Sequence, residues 1–354
     1  MSLSRFLRAD DPSWMQALGQ CEYDIYHLPA YASLEAVWIK AEPVAFRFDN
    51  DQYTMLLPLL LRPTPGGFGF DAVTPYGYSS PVFTNGAPLE FMIEALRAYQ
   101  TAALEIGLIT TFMRLHPILL EDLRGIATVS AGSWTQTARG VTVTMPLVGD
   151  HDIWIRKVAG GHRLAIRRLL RYGSQFIIDS DQAWNAFPDI YRSTMERVGA
   201  TKSYYYSDEY LAGFRHKLSD YVHCGAVIDS SGVVMCAGLF TSVSGILQYH
   251  LSGTKKEYAK HAPMKLLLSS MRNWAQEHKI KHFHLGGGLG SVKDSLYEFK
   301  QQFGGETLTF RTVSVVHDEE AYMRECLNWC AHALVGSVES NGFFPPYRAP
   351  YGNS

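Results

Sequence analysis

The chain has 354 residues, a formal net charge of −2, 47% hydrophobic and 19% charged residues, which excludes a disordered chain and a globally basic binder of polyanions. That length is too great for one ordinary core and predicts two domains. Cys21, Cys224, Cys236, Cys326 and Cys330 form no C-x-x-C pair, as in a reduced protein without structural zinc. The opening MSLSRFLRADDPSW lacks the apolar core of a secretory signal, and no apolar run is long enough to span a bilayer, so a cytoplasmic chain is expected.

Residues 1–150 read as a mixed α/β unit. A short helix around Trp14 precedes DIYHLPAYASLEAVW, whose apolar residues recur at helical spacing from Tyr31 to Trp38. Strand-like runs at 44–48 and 53–61 flank Asp49, Asn50 and Asp51 and predict a hairpin. The loop RPTPGGFGFDAVTPYGYSSPV is dense in aromatics for a surface segment. Long loops in compact domains are functional or disordered, and Tyr76 and Tyr78 argue for an ordered one. A helix near 88–106 and strands near 108–115 and 141–147 complete the unit, with the join placed at Gly149 and Asp150.

The second unit, 151–317, opens on the most basic segment of the chain, WIRKVAGGHRLAIRRLLRYG. A helix there arrays Arg163, Arg167 and Arg171 on one face, at i, i+4 and i+8, which suits phosphates or a solvated face beside acidic neighbours. After a strand at 174–178, helices at 183–198 and 208–218 bracket Arg197, Tyr204, Tyr205 and Tyr206, set where loops carry function. Strands are expected at 221–228, 232–241 and 245–251, then a helix opening near Pro263 with the stripe Leu267, Met271, Trp274 and Ala275. A strand at 281–285, a helix closing at Gly304 and a strand at 308–316 follow. Residues 318–354 form a helix and tail expected to pack back on the first unit.

Within HFHLGGGLGSVKDSLYEFKQQFGG, a strand runs into Gly286, Gly287, Gly288 and Gly290 and restarts as a helix. Glycine admits φ > 0 and lets a ligand approach the backbone. Ser295 and Glu298 form a capping-box pattern, with Asp294 as an alternative cap. The helix stripe is Leu296, Phe299 and Phe303, and Lys300 completes it at i+4. Lys300 therefore either snorkels to the rim or meets an anionic group in a cleft.

From residue 174 the order β, α, α, β, β, β, α, β, α, β gives a mixed sheet whose fourth and fifth strands run parallel. It is the order of the GNAT acyltransferase fold. GGHRLAIRRLLRYG, YRSTMERVGA, LQYHLSGT and HLGGGLGSVKDSLYEFKQQFGG, with DIYHLPAYASLEA and TPYGYSSPV in the first half, resemble the Fem family. Those are the FemABX-type peptidoglycan interpeptide-bridge aminoacyltransferases and related Fem-like GNAT proteins. The resemblance implies an α/β fold of mixed sheets with two tandem GNAT-like acyltransferase domains. It further implies an N-acyltransferase that moves an acyl or aminoacyl group from acyl-CoA or aminoacyl-tRNA to an amine of a cell-envelope or polysaccharide precursor. No tightly bound cofactor is expected. The alternative is a catalytically silent relative that binds an envelope precursor or a protein partner.

In GNAT-fold enzymes the donor binds where the fourth and fifth strands part. Gln248, His250 and Ser252 share one face of the first of these strands, and His282 and His284 one face of the second. His250 and His284 are candidate bases for an attacking amine, or satisfied histidines of a sheet. With no acidic or cysteine partner beside His250, His282 and His284, no metal is expected. Lys300 and the amides of Gly286, Gly287 and Gly288 are candidates for holding the oxyanion. Arg163, Arg167 and Arg171 are candidates for the donor, and Arg197, Tyr204, Tyr206, Tyr76 and Tyr78 for the acceptor. GTKKEYAKHAPMKL stands where acetyl-CoA enzymes carry R/Q-x-x-G-x-G/A and lacks its glycine pair. Weak CoA binding and salt-sensitive binding of tRNA or another polyanion are therefore expected, although no long heptad hairpin is present. G-x-S-x-G, H-E-x-x-H and Walker A motifs are absent, and GGGLGS matches a dinucleotide fingerprint only loosely.

Overall fold

The computed structural model describes residues 3–123, 133–333 and 343–349. The chain divides into two compact units, Met1–Arg139 with Phe310–Ser354, and Gly140–Thr309. The join falls inside a strand at Arg139 and Gly140 rather than in the turn at Gly149 and Asp150.

The first unit opens with β1 (Leu3–Arg8), α1 (Pro12–Leu18), α2 (Pro29–Ile39), β2 (Glu42–Asp49) and β3 (Thr54–Pro63). Then come β4 (Phe70–Val73), β5 (Val82–Phe83), α3 (Leu89–Glu105), β6 (Leu108–Arg114) and the start of β7 (Ser133–Met145). Asp11 caps α1 by accepting the Ser13 amide, with Pro12 in the first turn, where its missing N–H costs nothing. The β2–β3 hairpin turns on Asn50, whose side chain accepts the amides of Gln52 and Tyr53. The sheet runs in the order β1-β2-β3-β4-β6, with β4 and β6 parallel. Its core is built from Phe46, Leu57, Leu96, Tyr99 and Met113, among others.

One strand departs from the sequence reading. β13 (Glu306–Val316) was expected to close the second unit, yet its residues 312–316 pair antiparallel with β6, and Val313 and Val315 lie in the first unit's core. Strand propensity carries no record of the partner, which tertiary packing selects. α10 (Glu319–Ala333) follows in the same unit, and the residue expected to end it, Leu334, lies outside the described residues. The buried Glu325 of this helix accepts the amides of Gly66 and Phe68 at 2.9 and 3.2 Å. The buried Asp71 joins Arg62 and Arg348, each at 2.7 Å from Nε, and so ties residues 343–349 to β4. Asp71→Asn removes the charge shared by two guanidinium groups and is expected to lower stability by about 3 kcal/mol in urea denaturation. An unchanged midpoint and slope would show that the two arginines are held by other contacts.

The second unit contains the end of β7, α4 (His151–Lys157), α5 (Gly160–Arg171), β8 (Gln175–Ile178), α6 (Asp181–Val198) and α7 (Asp208–Lys217). These are followed by β9 (Val222–Ile228), β10 (Val234–Val243), β11 (Ile246–Thr254), α8 (Met264–Glu277), β12 (His282–Gly287) and α9 (Ser295–Gln301). Strand order is β7-β12-β11-β10-β9-β8, so the strand expected near 141–147 in the first unit borders β12 instead. Leu247 of β11 and Phe283 and Leu285 of β12 share a core with Ile166 and Leu169 of α5, Leu267 and Met271 of α8, and Phe303. Alternation sends Gln248 and His250 to the other face, where α6 and α7 lie and the His250 ring meets Phe214 of α7. There α6 approaches β11 so closely that a Cβ on Gly253 would stand 2.5 Å from the Ile190 carbonyl.

Candidate active site

β11 and β12 pair in parallel over Ile246, Leu247 and Gln248 against His282, Phe283 and His284, and then part. β12 has a bulge between His284 and Gly286 in its pairing with β7, and Gly286 takes φ +73°, which a side chain would strain. Past that point β12 bonds to Val143 and Thr142 of β7, leaving the far half of β11 separated from it. The loop beyond folds around Asp294. Its carboxylate accepts the amides of Leu289 and Tyr297 at 3.0 and 2.9 Å and caps α9. Partial burial opposes its charge, and the Tyr297 and Leu289 amides outweigh that and hold the carboxyl below its ordinary range. A Cβ on Gly288 would stand 2.1 Å from Asp294 Oδ1, so only glycine fits. The cap is Asp294, not Ser295 of the capping-box pattern. Asp294→Ala is expected to cost about 1 kcal/mol, as loss of a helix cap does, and to raise amide exchange at Leu289 and Tyr297; exchange at wild-type rates would refute this account of the loop.

α9 places Lys300 in the parting of the strands. The side chain is 6% exposed, its Nζ donates to the Gly287 carbonyl at 2.6 Å, and it lies 5.7 Å from the centroid of the Tyr249 ring. Gly287 ends β12 and Tyr249 is the first residue of β11 past the paired register, so the ammonium stands between the diverging strands. Burial pulls its pKa down to about 8, with only the charge of Asp294 acting the other way. At neutral pH most of the lysine is an ammonium, and one of its N–H bonds goes to Gly287.

The other expected site residues are distributed differently. His284 is buried, and its Nδ1–H donates to Gln248 Oε1 at 2.6 Å. His250, two residues beyond Gln248, is half-buried. Both lie on the opposite sheet face from Tyr249, so β11 divides them from Lys300. Arg197 donates to the Thr254 carbonyl at the end of β11, at 3.2 Å. Tyr204 accepts a bond from the Tyr191 hydroxyl through its carbonyl, and Tyr206 is buried in a column of rings with Tyr191 and Tyr210. Tyr206 is thus a packing residue, because the helix-end loop folds inward onto α6. Arg163 donates to the Arg156 carbonyl, while Arg167 and Arg171 face solvent. In the first unit, Tyr76 is exposed beside Arg114, 5.5 Å from its ring centroid, and Tyr78 is half-buried against Tyr26 and Phe310.

Sequence reasoning missed two residues around Lys300. The buried His162 of α5 donates from Nε2 to the carbonyl of Phe299, the residue before Lys300, at 3.1 Å and packs on Phe299 and Phe303. Burial lowers its pKa to about 4, so the ring is neutral. Thr142, opposite Gly287, is buried, and its hydroxyl makes no hydrogen bond among the described residues. The glycine-glycine-histidine start of α5 was a visible signal for His162. Thr142 offered none, because its place depends on the pairing of β7 with β12.

No curated protein matches the sequence. The crystal structure of FemX superposes with a TM-score of 0.66 at 13% identity, covering 87% of this chain and 96% of that one. L-PGS from Bacillus licheniformis gives 0.57 at 12% identity over 87% of this chain and 92% of its own. A tandem GNAT protein from the clavulanic acid biosynthesis pathway gives 0.50 at 11% identity over 88% and 98%. The fold is therefore the α/β fold of tandem GNAT-like proteins. Residues 208–311, which hold the parted strands, the glycine turn and Lys300, match the model of the FemAB family, and it is this family that the chain resembles.

Proposed function

We propose that the chain is an N-acyltransferase that moves an acyl or aminoacyl group from an activated ester or thioester to an amine of a cell-envelope or polysaccharide precursor. The observation that carries this reading is Lys300, a buried ammonium between two diverging strands with one of its N–H bonds on Gly287. The donor carbonyl enters the parting, and its oxygen points at Lys300 and at the amides of Gly286, Gly287 and Gly288. The amine attacks from the His250 side. As the C–N bond forms, negative charge collects on the carbonyl oxygen, where a preorganised ammonium in a dry site counts most. The intermediate collapses by expelling the thiolate or the ribose oxygen, and the proton lost by the amine passes to His250 or to water. Arg197 and Tyr204 are the acceptor-side candidates of this unit.

Weak use of CoA is part of the reading. The segment between β11 and α8 is a 3₁₀ turn, Lys256–His261, pinned by the Tyr258 hydroxyl on Asp229 at 2.6 Å, with Ala262 in the left-handed region where a glycine would sit without strain. The test is mass spectrometry of the protein incubated with acetyl-CoA or charged tRNA and a pool of amines. A new amide formed by the wild type and lost in Lys300→Met supports the reading. No amide from any donor, with a precursor still bound, favours a silent binding protein.

A further inference from the structure

The outward face of α5, whose Arg163, Arg167 and Arg171 are donor candidates, also carries exposed apolar side chains that donor binding does not use. At 100° per residue, His162, Ile166 and Leu169 point inward and are buried, while Leu164, Arg167, Arg168 and Arg171 point out. Leu164 is 70% exposed, Leu170 on the flank 56%, and Tyr172 after the helix 65%. From Ile153 to Ile178 the sequence has no aspartate or glutamate. Arg168 donates to the carbonyl of Lys260, which brings a second basic segment alongside, with Lys255, Lys256 and Lys260 against the single acid Glu257. Arg167 and Arg171 form no ion pair or hydrogen bond among the described residues.

We propose that this face docks on an anionic lipid bilayer. A phosphodiester chain would be held by the cations alone and would leave the leucines in water. A bilayer takes both: lipid phosphates meet the guanidinium groups, and Leu164, Leu170 and the amphipathic Tyr172 enter the headgroup and acyl boundary. The contact is peripheral, since no helix among the described residues is long and apolar enough to cross a membrane. The inference is independent of the reaction above and holds whether or not the chain transfers an acyl group.

The experiment is sedimentation of the full chain with phosphatidylcholine vesicles, with or without roughly one third phosphatidylglycerol. Binding to the anionic vesicles alone is expected. Arg167→Gln/Arg168→Gln/Arg171→Gln should weaken it by roughly a hundredfold, about fivefold per cation. Leu164→Asn/Leu170→Asn should weaken it by about tenfold through lost apolar burial, with the melting temperature unchanged because both side chains are exposed. No vesicle binding by the wild type overturns the proposal. So does vesicle binding indifferent to the leucines, and so does binding of an RNA hairpin in place of vesicles, which would assign the face to nucleic acid.

Discussion

Lys300→Met is expected to lower turnover by about a hundredfold or more, the scale of losing one oxyanion donor, while the folded state becomes more stable. The two effects share a cause. Lys300 is 6% exposed, and burial brings its pKa from 10.5 to about 8, so the folded chain holds this proton less tightly than the unfolded chain. The penalty is complete below about pH 8 and fades as pH rises toward 10.5, where the folded lysine is neutral. Wild-type stability should rise across that window, and the gain of Lys300→Met over wild type should shrink with it. At pH 7 that gain is up to about 3 kcal/mol, less about 1 kcal/mol for the donor lost to the Gly287 carbonyl. Turnover limited by the charged form should fall above pH 8, whereas a lysine acting as a neutral base would give a rate that rises there. Lys300→Arg should rescue little, since a planar fork does not replace a point charge in a closed site. Kinetics and melting curves of the two variants decide the matter: wild-type turnover in Lys300→Met would leave the residue a purely structural lysine.

What the sequence disclosed about this site follows the range of the interactions involved. Helical periodicity placed Lys300 on the inner side of α9 beside Phe299 and Phe303, because that relation spans a single turn. The same stripe put Leu296 inside, yet it is 38% exposed, since α9 has only seven residues and its first turn extends beyond the core. Alternation set Gln248 and His284 on matching faces, and they bond across the strands. It gave no warning that Lys300 would arrive on the opposite face, because a helix after β12 can cross either side of a sheet. The choice of Asp294 over Ser295 as the cap was open for a similar reason. Both are good caps, and the bond from Leu289 that favours the aspartate belongs to the loop before the helix. β13 was the largest misplacement. Its pattern is that of a strand in either unit, and its partner β6 lies almost two hundred residues earlier.

Arg272 makes the other large prediction, and it concerns the frame behind the site. Its guanidinium is fully buried, 4.5 Å from the Trp154 ring centroid, and donates to the carbonyls of Pro146, Val148 and Gly149 and to Gln276 Oε1. Gln276 in turn donates to Leu147 and Gly149 at 2.7 Å. The turn after β7 is thereby fastened to α8 by side chains, where a regular strand would have used a neighbour's backbone. Burial lowers the pKa of Arg272 to about 10, against the charge of Asp150, which leaves it charged at neutral pH with its N–H groups on carbonyl oxygens. Arg272→Met keeps the apolar stem on Trp154 but removes the donors to the Pro146 and Val148 carbonyls and one of the two to Gly149, and a loss of about 3 kcal/mol is expected. Arg272→Lys should recover less than half, because one ammonium cannot span three carbonyls. Gln276→Ala alone should cost about 1 kcal/mol. The double variant should fall short of the sum, since both side chains serve the Gly149 carbonyl. β12 pairs with residues 142–145 of β7, just before this turn. A loosened turn should therefore also reduce activity, by less than loss of Lys300 does. Urea denaturation of the single and double variants measures the coupling, and strictly additive losses would mean that the two side chains hold the turn independently.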